Sequence, residues 1–76
     1  MPNILTATLR ENLDPNHLYT DFEIKEVLKK VSLDFLVAKL EMGINTMIDV
    51  STFSIAENQL ICMARVLLKK YFHLQP

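Results

Sequence analysis

The residue types best suited to chemistry lie at the start of a long apolar run near the carboxyl end of the 76-residue chain. Ser54 and Glu57 are three residues apart, which is the spacing of a capping box, where each side chain bonds the other residue's backbone N–H. Free N–H groups at a helix start also attract phosphate and other anions. The turn is therefore either a helix cap alone or a cap that also contacts an anion.

The other reactive side chains lack the spacing of a catalytic or metal site. His17 and His73 are far apart, and neither forms a metal-ligand pair with the single cysteine, Cys62. We expect both histidines to be exposed and Cys62 to be a small buried apolar residue. We expect the core to contain three methionines: Met42, Met47 and Met63. No catalytic residue and no metal ligand is assigned.

A long helix at about 54–70 must position the Ser54 turn. The stretch from Leu60 to Leu68 is apolar except for Arg65, and two lysines follow where cations favour the negative end of a helix dipole. A helix that is apolar on nearly every side must be buried against another element. Since the other helices are short, they cannot bury all of Ile61, Cys62, Leu68 and their neighbours, and we expect the chain to self-associate or to be partly molten.

Upstream, the sequence predicts two short helices and one amphipathic helix. Leu5, Leu9 and Leu13 share one helical face and predict a short helix that ends near Asn12, before an Asp-Pro break. A second capping box, Thr20 to Glu23, predicts a three-turn helix whose apolar face is Ile24, Val27, Leu28 and Val31.

A shorter helix is expected over 33–40, followed by a left-handed turn at Gly43, the only glycine. The residues 47–50 alternate weakly and could form a brief strand or a loop.

Composition excludes several classes of function. The net charge of −1 gives no electrostatic footprint for nucleic acid. One cysteine rules out an internal disulfide and fits a reducing compartment. No apolar run reaches the ~18 residues of a membrane span, so we expect no direct membrane insertion, and no signal peptide is visible.

The carboxyl-terminal half resembles the signature motif and following helix of ATP-binding cassette (ABC) transporters, in the multidrug-resistance-associated subfamily. Its second nucleotide-binding domain reads roughly Phe-Ser-Val-Gly-Gln-Arg-Gln-Leu-Leu-Cys-Leu-Ala-Arg-Ala-Leu-Leu-Arg-Lys. The matching residues here are Phe53, Ser54, Gln59, Leu60, Cys62, Ala64, Arg65, Leu67, Leu68 and Lys70. Upstream, the family patterns Pro-x-Leu-Phe-x-Gly-Thr-Leu-Arg-x-Asn-Leu-Asp-Pro and Tyr-Thr-Asp-x-Glu-Ile are matched by Pro2, Thr8, Leu9, Arg10, Asn12, Leu13, Asp14, Pro15, Tyr19, Thr20, Asp21, Glu23 and Ile24.

The resemblance implies nucleotide contacts at the Ser54 turn, made across a dimer to ATP held by a partner domain. Ser54 keeps the hydroxyl that donates to the γ-phosphate in the family, so Ser54, Ala56 and Glu57 form a degenerate nucleotide-binding signature. Ala56 replaces a glycine that lets the backbone approach phosphate. Glu57 replaces glutamine, and its charge ~4 Å from a phosphate costs about 4 kcal/mol at an effective dielectric near 20, unless it turns away to cap the helix.

The parts that perform phosphoryl transfer in the family do not occur in this sequence. A single glycine cannot make the Walker A loop Gly-x-x-x-x-Gly-Lys, and no aspartate is followed by glutamate as in Walker B. By resemblance, the glutamine of the Q-loop falls before Met1 and the switch histidine lies past Pro76. We expect the isolated chain to bind no cofactor and hydrolyse no ATP, whereas the parent family uses ATP and Mg²⁺.

The sequence thus predicts an all-α fold of three to four helices over 1–76, a single partial domain that resembles the helical subdomain of an ABC nucleotide-binding domain without its P-loop sheet. The implied function is a share in ATP-driven export on the cytoplasmic side of a membrane. The implied partners are the nucleotide-binding core and the coupling helices of the membrane domain, or a second copy through self-association. The alternative is a free-standing helical interaction module.

Overall fold

A computed structural model describes residues 3–73, and this part of the chain contains four α-helices and a two-stranded ladder. In chain order these are β1 (Ala7–Thr8), α1 (Leu9–Leu13), α2 (Asp21–Lys30), α3 (Asp34–Ala38), a 3₁₀ turn (Gly43–Asn45), β2 (Met47–Ile48) and α4 (Ile55–Phe72). The fold is all-α, as predicted, and residues 3–73 contain no P-loop sheet. None of the helices described over 3–73 is long and apolar enough to cross a bilayer.

Three of the four helices described over residues 3–73 begin with the same local motif, a capping box. Thr8, Thr20 and Ser54 each have an extended backbone at the N-cap, and each is followed three residues later by glutamate in a reciprocal capping box. Because each box satisfies two backbone N–H groups that a helix start leaves free, it fixes the residue at which the helix begins. The boxes at Thr20 and Ser54 confirm the prediction.

The core lies where α2 packs on α4, the most extensive contact between elements. Ile24, Val27 and Leu28 of α2 are 0–1% exposed, as the amphipathic pattern predicted. The facing residues of α4 are equally buried, and α1 also packs against α4. The remaining core side chains are Leu9, Leu13, Tyr19, Val31, Leu33, Ile44, Ile48, Ile61, Ala64 and Leu68.

The predicted helix through Leu5, Leu9 and Leu13 is wrong in its first half. Ala7 and Thr8 pair antiparallel with Ile48 and Met47, and the capping box then starts the helix only at Leu9. Leu5 lies before the strand and is 54% exposed. The stretch at 47–50, left open between strand and loop, provides the partner strand over 47–48.

The helix predicted over 33–40 is shorter, and the glycine turn lies farther on. The structure ends α3 at Ala38, and Leu40 follows as a half-buried residue against the core. Gly43 has the expected positive φ of 56°, yet it opens the 3₁₀ turn instead of capping α3 directly. A Cβ at this glycine would meet no atom within 4 Å, so only its backbone conformation favours glycine here.

The long helix buries only one of its apolar faces. Ile61 and Leu68, named among the residues that could not all be buried, are 1% and 0% exposed and contribute to the core. The face turned to solvent carries Ile55, Met63 and Val66, which are 75%, 54% and 63% exposed. The chain therefore buries one side of α4 by itself and leaves an apolar outer stripe, here defined as Ile55, Met63 and Val66.

Candidate functional site

The Ser54 turn has the geometry of a closed helix cap. The Oγ of Ser54 accepts a hydrogen bond from the backbone N–H of Glu57 at 3.1 Å, and the backbone N–H of Ser54 donates to Glu57 Oε1 at 2.8 Å. Ser54 and Ala56 are exposed, and Glu57 is half-buried. The carboxylate of Glu57 thus folds back on the start of α4, where it caps the helix.

The two upstream boxes provide an internal comparison for this turn. The backbone N–H of Thr8 donates to Glu11 at 2.9 Å, and that of Thr20 donates to Glu23 at 2.8 Å. The bond from Ser54 to Glu57, at 2.8 Å, falls in the same range, so the geometry of the turn matches that of two ordinary helix caps. A capping role accounts for the observed contacts of Ser54 and Glu57 without a ligand.

A tight loop that begins at Asp49 leads directly into the Ser54 turn. The Oδ1 of Asp49 accepts hydrogen bonds from Ser51 N at 2.8 Å and from Ser51 Oγ at 2.6 Å, and these bonds lower the pKa of the Asp49 carboxyl. Asn58, on the second turn of α4, donates from Nδ2 to the carbonyl of Val50 at 3.0 Å. Its Oδ1 is buried and lacks a partner among the described residues. Asn58 therefore ties the loop to the helix that follows it.

Arg65 is the main polar contact of α4 that the sequence reasoning missed. Its Nε donates to the carbonyl of Asn12 at 2.6 Å, and its Nη2 donates to the carbonyl of Asn3 at 2.6 Å. The signal available in the sequence was one arginine inside an apolar run. A guanidinium has five N–H donors, so it can join several backbone carbonyls at once.

Asn12 is the residue that Arg65 meets on α1, and it is 2% exposed. Its Nδ2 donates to the carbonyls of Leu5 and Thr8, and its Oδ1 accepts from Leu5 N at 2.8 Å. Because buried amides are stable only when hydrogen-bonded, Asn12 orders the segment in front of α1. Arg65 and Asn12 together join α4 to α1 and to the segment before α1.

A second polar cluster holds the loop between α1 and α2. Asp14 is 1% exposed and accepts from the backbone N–H groups of Leu18 at 2.8 Å and Tyr19 at 3.0 Å. Arg10 bonds Asp21 at 2.6 Å and Asp14 at 3.3 Å, and the hydrogen bond to Asp21 raises the pKa of the Arg10 guanidinium most. This cluster is structural, since each charged group in it is matched by a partner.

Several predicted environments of single residues are wrong. Met42, Met47 and Met63 are 66%, 62% and 54% exposed, so they lie on the surface and not in the core. Cys62 is half-buried, and its sulfur accepts from Arg65 Nη1 at 3.6 Å. Sequence periodicity could not identify the core face of α4, because both faces of that helix are apolar.

The two histidines differ from each other. His17 is exposed, as expected, with a positive φ of 53° in the loop before α2. His73 was also expected to be exposed, but it is half-buried and its Nδ1 lies 3.2 Å from the hydroxyl of Tyr19. Over residues 3–73, no group of three or more His, Cys, Asp or Glu side chains could hold a metal ion.

Comparison with known proteins identifies relatives of this chain. No protein-family model matches it. It is 46% identical over 67 residues to a vacuolar heme ABC transmembrane exporter of Schizosaccharomyces pombe, covering 86% of this chain and 5% of that protein. It is 42% identical over 69 residues to ABC transporter C family member 7 of Dictyostelium discoideum, covering 90% of this chain and 5% of the relative.

A human relative extends the same pattern. ATP-binding cassette sub-family C member 4 of Homo sapiens is 37% identical over 71 residues, which cover 91% of this chain and 5% of that protein. The chain therefore spans about a twentieth of the length of each of these relatives. Over most of its own length, the chain is homologous to a short segment of the ABC transporters of the C family.

Proposed function

We propose that this chain is the helical segment, with the signature motif, of the second nucleotide-binding domain of an ABC transporter of the multidrug-resistance-associated type. The observation that carries the proposal is homology over 86–92% of the chain to C-family transporters, together with a capped helix that starts at the signature serine, Ser54. In that setting the segment contributes to ATP-driven export. Alone, it provides helical contacts and no hydrolysis.

The proposed nucleotide-facing residues are Ser54, Ala56 and Glu57, acting across a dimer on ATP bound by another domain. Exposure of Ser54 and Ala56 at the start of an 18-residue helix supports this assignment. The capping bonds of Ser54 and Glu57 weigh against a strong contact, because the Glu57 carboxylate already occupies the Ser54 N–H. ATP and Mg²⁺ are cofactors of the whole transporter in this proposal, and no metal ligand is assigned here.

The proposed partners are the nucleotide-binding core and the coupling helices of the membrane domain, on the cytoplasmic side of the membrane. The apolar outer stripe of α4 supports the existence of a covering partner, because exposed apolar patches mark interaction surfaces.

Calorimetric titration of the isolated chain with ATP and Mg²⁺ tests the proposal. We expect no ATPase activity and no binding tighter than millimolar, since a sequence with one glycine has no Walker A loop. Micromolar, magnesium-dependent binding contradicts this part of the proposal. Coding sequence for Walker A upstream and Walker B downstream in the same reading frame is the expected genomic context.

A free-standing helical interaction module is the alternative function. It is favoured by one observation, which is that α1, α2 and α4 bury a continuous apolar core without any further domain. A chain encoded without neighbouring Walker segments, and stable as a monomer, fits this alternative and contradicts the transporter assignment.

A further inference from the structure

The last turns of α2 and α4 meet at an exposed aromatic ring. The Nζ of Lys30, at the end of α2, lies 5.0 Å from the centroid of the Tyr71 ring, and the Nζ of Lys70 lies 5.6 Å from it. Tyr71 is 53% exposed, and both lysines are exposed. Both ammonium groups thus lie within cation–π distance of the same ring. Lys30, Lys70 and Tyr71 are called here the lysine–tyrosine patch.

No carboxylate among residues 3–73 forms an ion pair with a lysine of this patch. Among residues 3–73, the ion pairs within 4.0 Å are those of Arg10 with Asp14 and Asp21. Most other carboxylates are used elsewhere: Glu11, Glu23 and Glu57 cap helices, and Asp49 closes a loop. The lysines that remain at the two helix ends are Lys29, Lys30, Lys69 and Lys70.

We propose that the lysine–tyrosine patch binds the anionic surface of a phospholipid bilayer. Lysines attract anionic headgroups, and tyrosine favours the boundary between water and lipid because its ring is apolar and its hydroxyl is polar. Three grooves lined by residues of the described part of the chain, of about 320, 210 and 260 Å³, contain none of the patch residues in their walls. An open patch suits the spread charge of a bilayer. It suits a short acidic peptide less well, because such a peptide needs a cleft.

The net charge of the whole chain restricts membrane binding to the face that carries the lysine–tyrosine patch. A chain with a net charge of −1 is repelled on average by an anionic surface, so binding requires the patch to face the membrane. The contact is peripheral and involves no inserted helix. It does not depend on the proposed transporter function, because it rests on the charges of this chain alone.

Sedimentation with vesicles tests the proposal on the full chain. The vesicles are pure phosphatidylcholine or an equimolar mixture of phosphatidylcholine and phosphatidylserine. We expect binding to the mixed vesicles alone, and its loss at about 0.5 M salt because surface charges are then screened. Each lysine near the surface strengthens binding about fivefold, so Lys30→Glu with Lys70→Glu should weaken it at least about 25-fold.

The matched control is Lys25→Glu with Lys39→Glu, which changes two exposed lysines elsewhere and gives the same net charge. Circular dichroism melting verifies that both double variants fold. An equal loss of binding in both pairs, or no binding of the unmodified chain to mixed vesicles, overturns the proposal. Binding of polyglutamate as tightly as the vesicles overturns it as well, because the partner is then an acidic protein.

Discussion

The carboxylate of Glu57 accepts a hydrogen bond from the backbone N–H of Ser54, which would otherwise be free to bind a phosphate at the start of α4. This bond is 2.8 Å long, and the Ser54 hydroxyl accepts from Glu57 N at 3.1 Å. The same pair of bonds forms at Thr20 and Glu23, a turn for which no ligand is proposed. Contact with nucleotide at Ser54 therefore requires that these capping bonds open or that the ligand shares them.

Removing the N-cap hydroxyls measures how much of the Ser54 turn is structural. Ser54→Ala and Thr20→Ala should each lower the free energy of unfolding by about 0.5–2 kcal/mol, because each leaves a helix N–H without its acceptor. Denaturant unfolding of both variants gives the comparison. If Thr20→Ala is destabilising and Ser54→Ala is neutral, capping is not the role of Ser54, and a phosphate contact becomes the better explanation.

Hydrogen bonds to two carboxyl groups should make the free energy of unfolding fall at acid pH. The backbone hydrogen bond from Thr8 lowers the pKa of Glu11 most, and the hydroxyl of Ser51 lowers the pKa of Asp49 most. Because these folded-state pKa values lie below the unfolded ones, the stabilisation is complete above the unfolded pKa and is lost as pH falls through the folded pKa. NMR titration of the side-chain carboxyls should show that the pKa values of both groups lie below those of ordinary glutamate and aspartate side chains. Ordinary values for both contradict the proposed hydrogen bonds.

At the level of elements, α4 has two apolar faces with different roles. The inner face packs against α2 through Ile61, Ala64 and Leu68, which are at most 1% exposed. The outer stripe of Ile55, Met63 and Val66 faces solvent. Half of this helix therefore stabilises the fold, and half is available to a partner.

Charge placed on either face separates these roles. Ile61→Glu should abolish the folded state, because it removes a core side chain and buries an unpaired carboxylate. The loss of the core side chain alone costs about 2–5 kcal/mol at such a site, and the buried charge adds to this cost. Val66→Glu, five residues on, should change the free energy of unfolding by less than about 0.5 kcal/mol. Thermal melting followed by circular dichroism distinguishes them. Equal destabilisation by the two substitutions contradicts the assigned faces.

The elements that could be predicted are those set by local sequence signals. The Thr20 and Ser54 boxes and the break at Asp14-Pro15 act within a few residues, so the starts of α2 and α4 and the end of α1 followed from the sequence. The pairing of β1 with β2 joins Ala7 to Ile48 and Thr8 to Met47, which are far apart in the chain, and has no local pattern. The contact of Arg65 with Asn12 was missed for the same reason.

The part of the candidate site that depends on residues close together in the sequence was predicted, and the part that depends on the folded backbone was not. The spacing of Ser54 and Glu57 indicated the cap, and the structure contains it. The loop bonds of Asp49 and Asn58 that lead into the turn depend on how the backbone folds, and residue types alone do not indicate them. The same applies to Met63, because periodicity cannot choose between two apolar faces of one helix.

As a whole molecule, the described chain is small and elongated, with principal extents of 37 × 25 × 21 Å. A chain of this size buries only about 60% of its unfolded surface, which leaves little reserve of stability. Its core is nevertheless continuous, since one cluster includes residues of α1, α2 and α4. The outer stripe of α4 stays exposed outside this core, and it is a reason to expect association.

Self-association through the outer stripe should appear in analytical ultracentrifugation. We expect the unmodified chain to form dimers or larger species at high concentration, because burying large apolar side chains yields roughly 1.5–3 kcal/mol each. Met63→Glu with Val66→Glu should shift it to monomer without lowering the melting temperature. A clean, cooperatively melting monomer of the unmodified chain contradicts this expectation and favours the free-standing module.

The two bonds of Arg65 also determine when this fold can form during synthesis. They join residues 53 and 62 positions apart in the chain, so the segment before α1 gains its anchor only after synthesis has passed Arg65 of α4. Loops of this length are slow to close compared with a helix turn. Until Arg65 has left the ribosome, Asn3 and Asn12 lack that anchor, and a nascent chain that stops before α4 exposes the apolar face of α2 to chaperones and proteases.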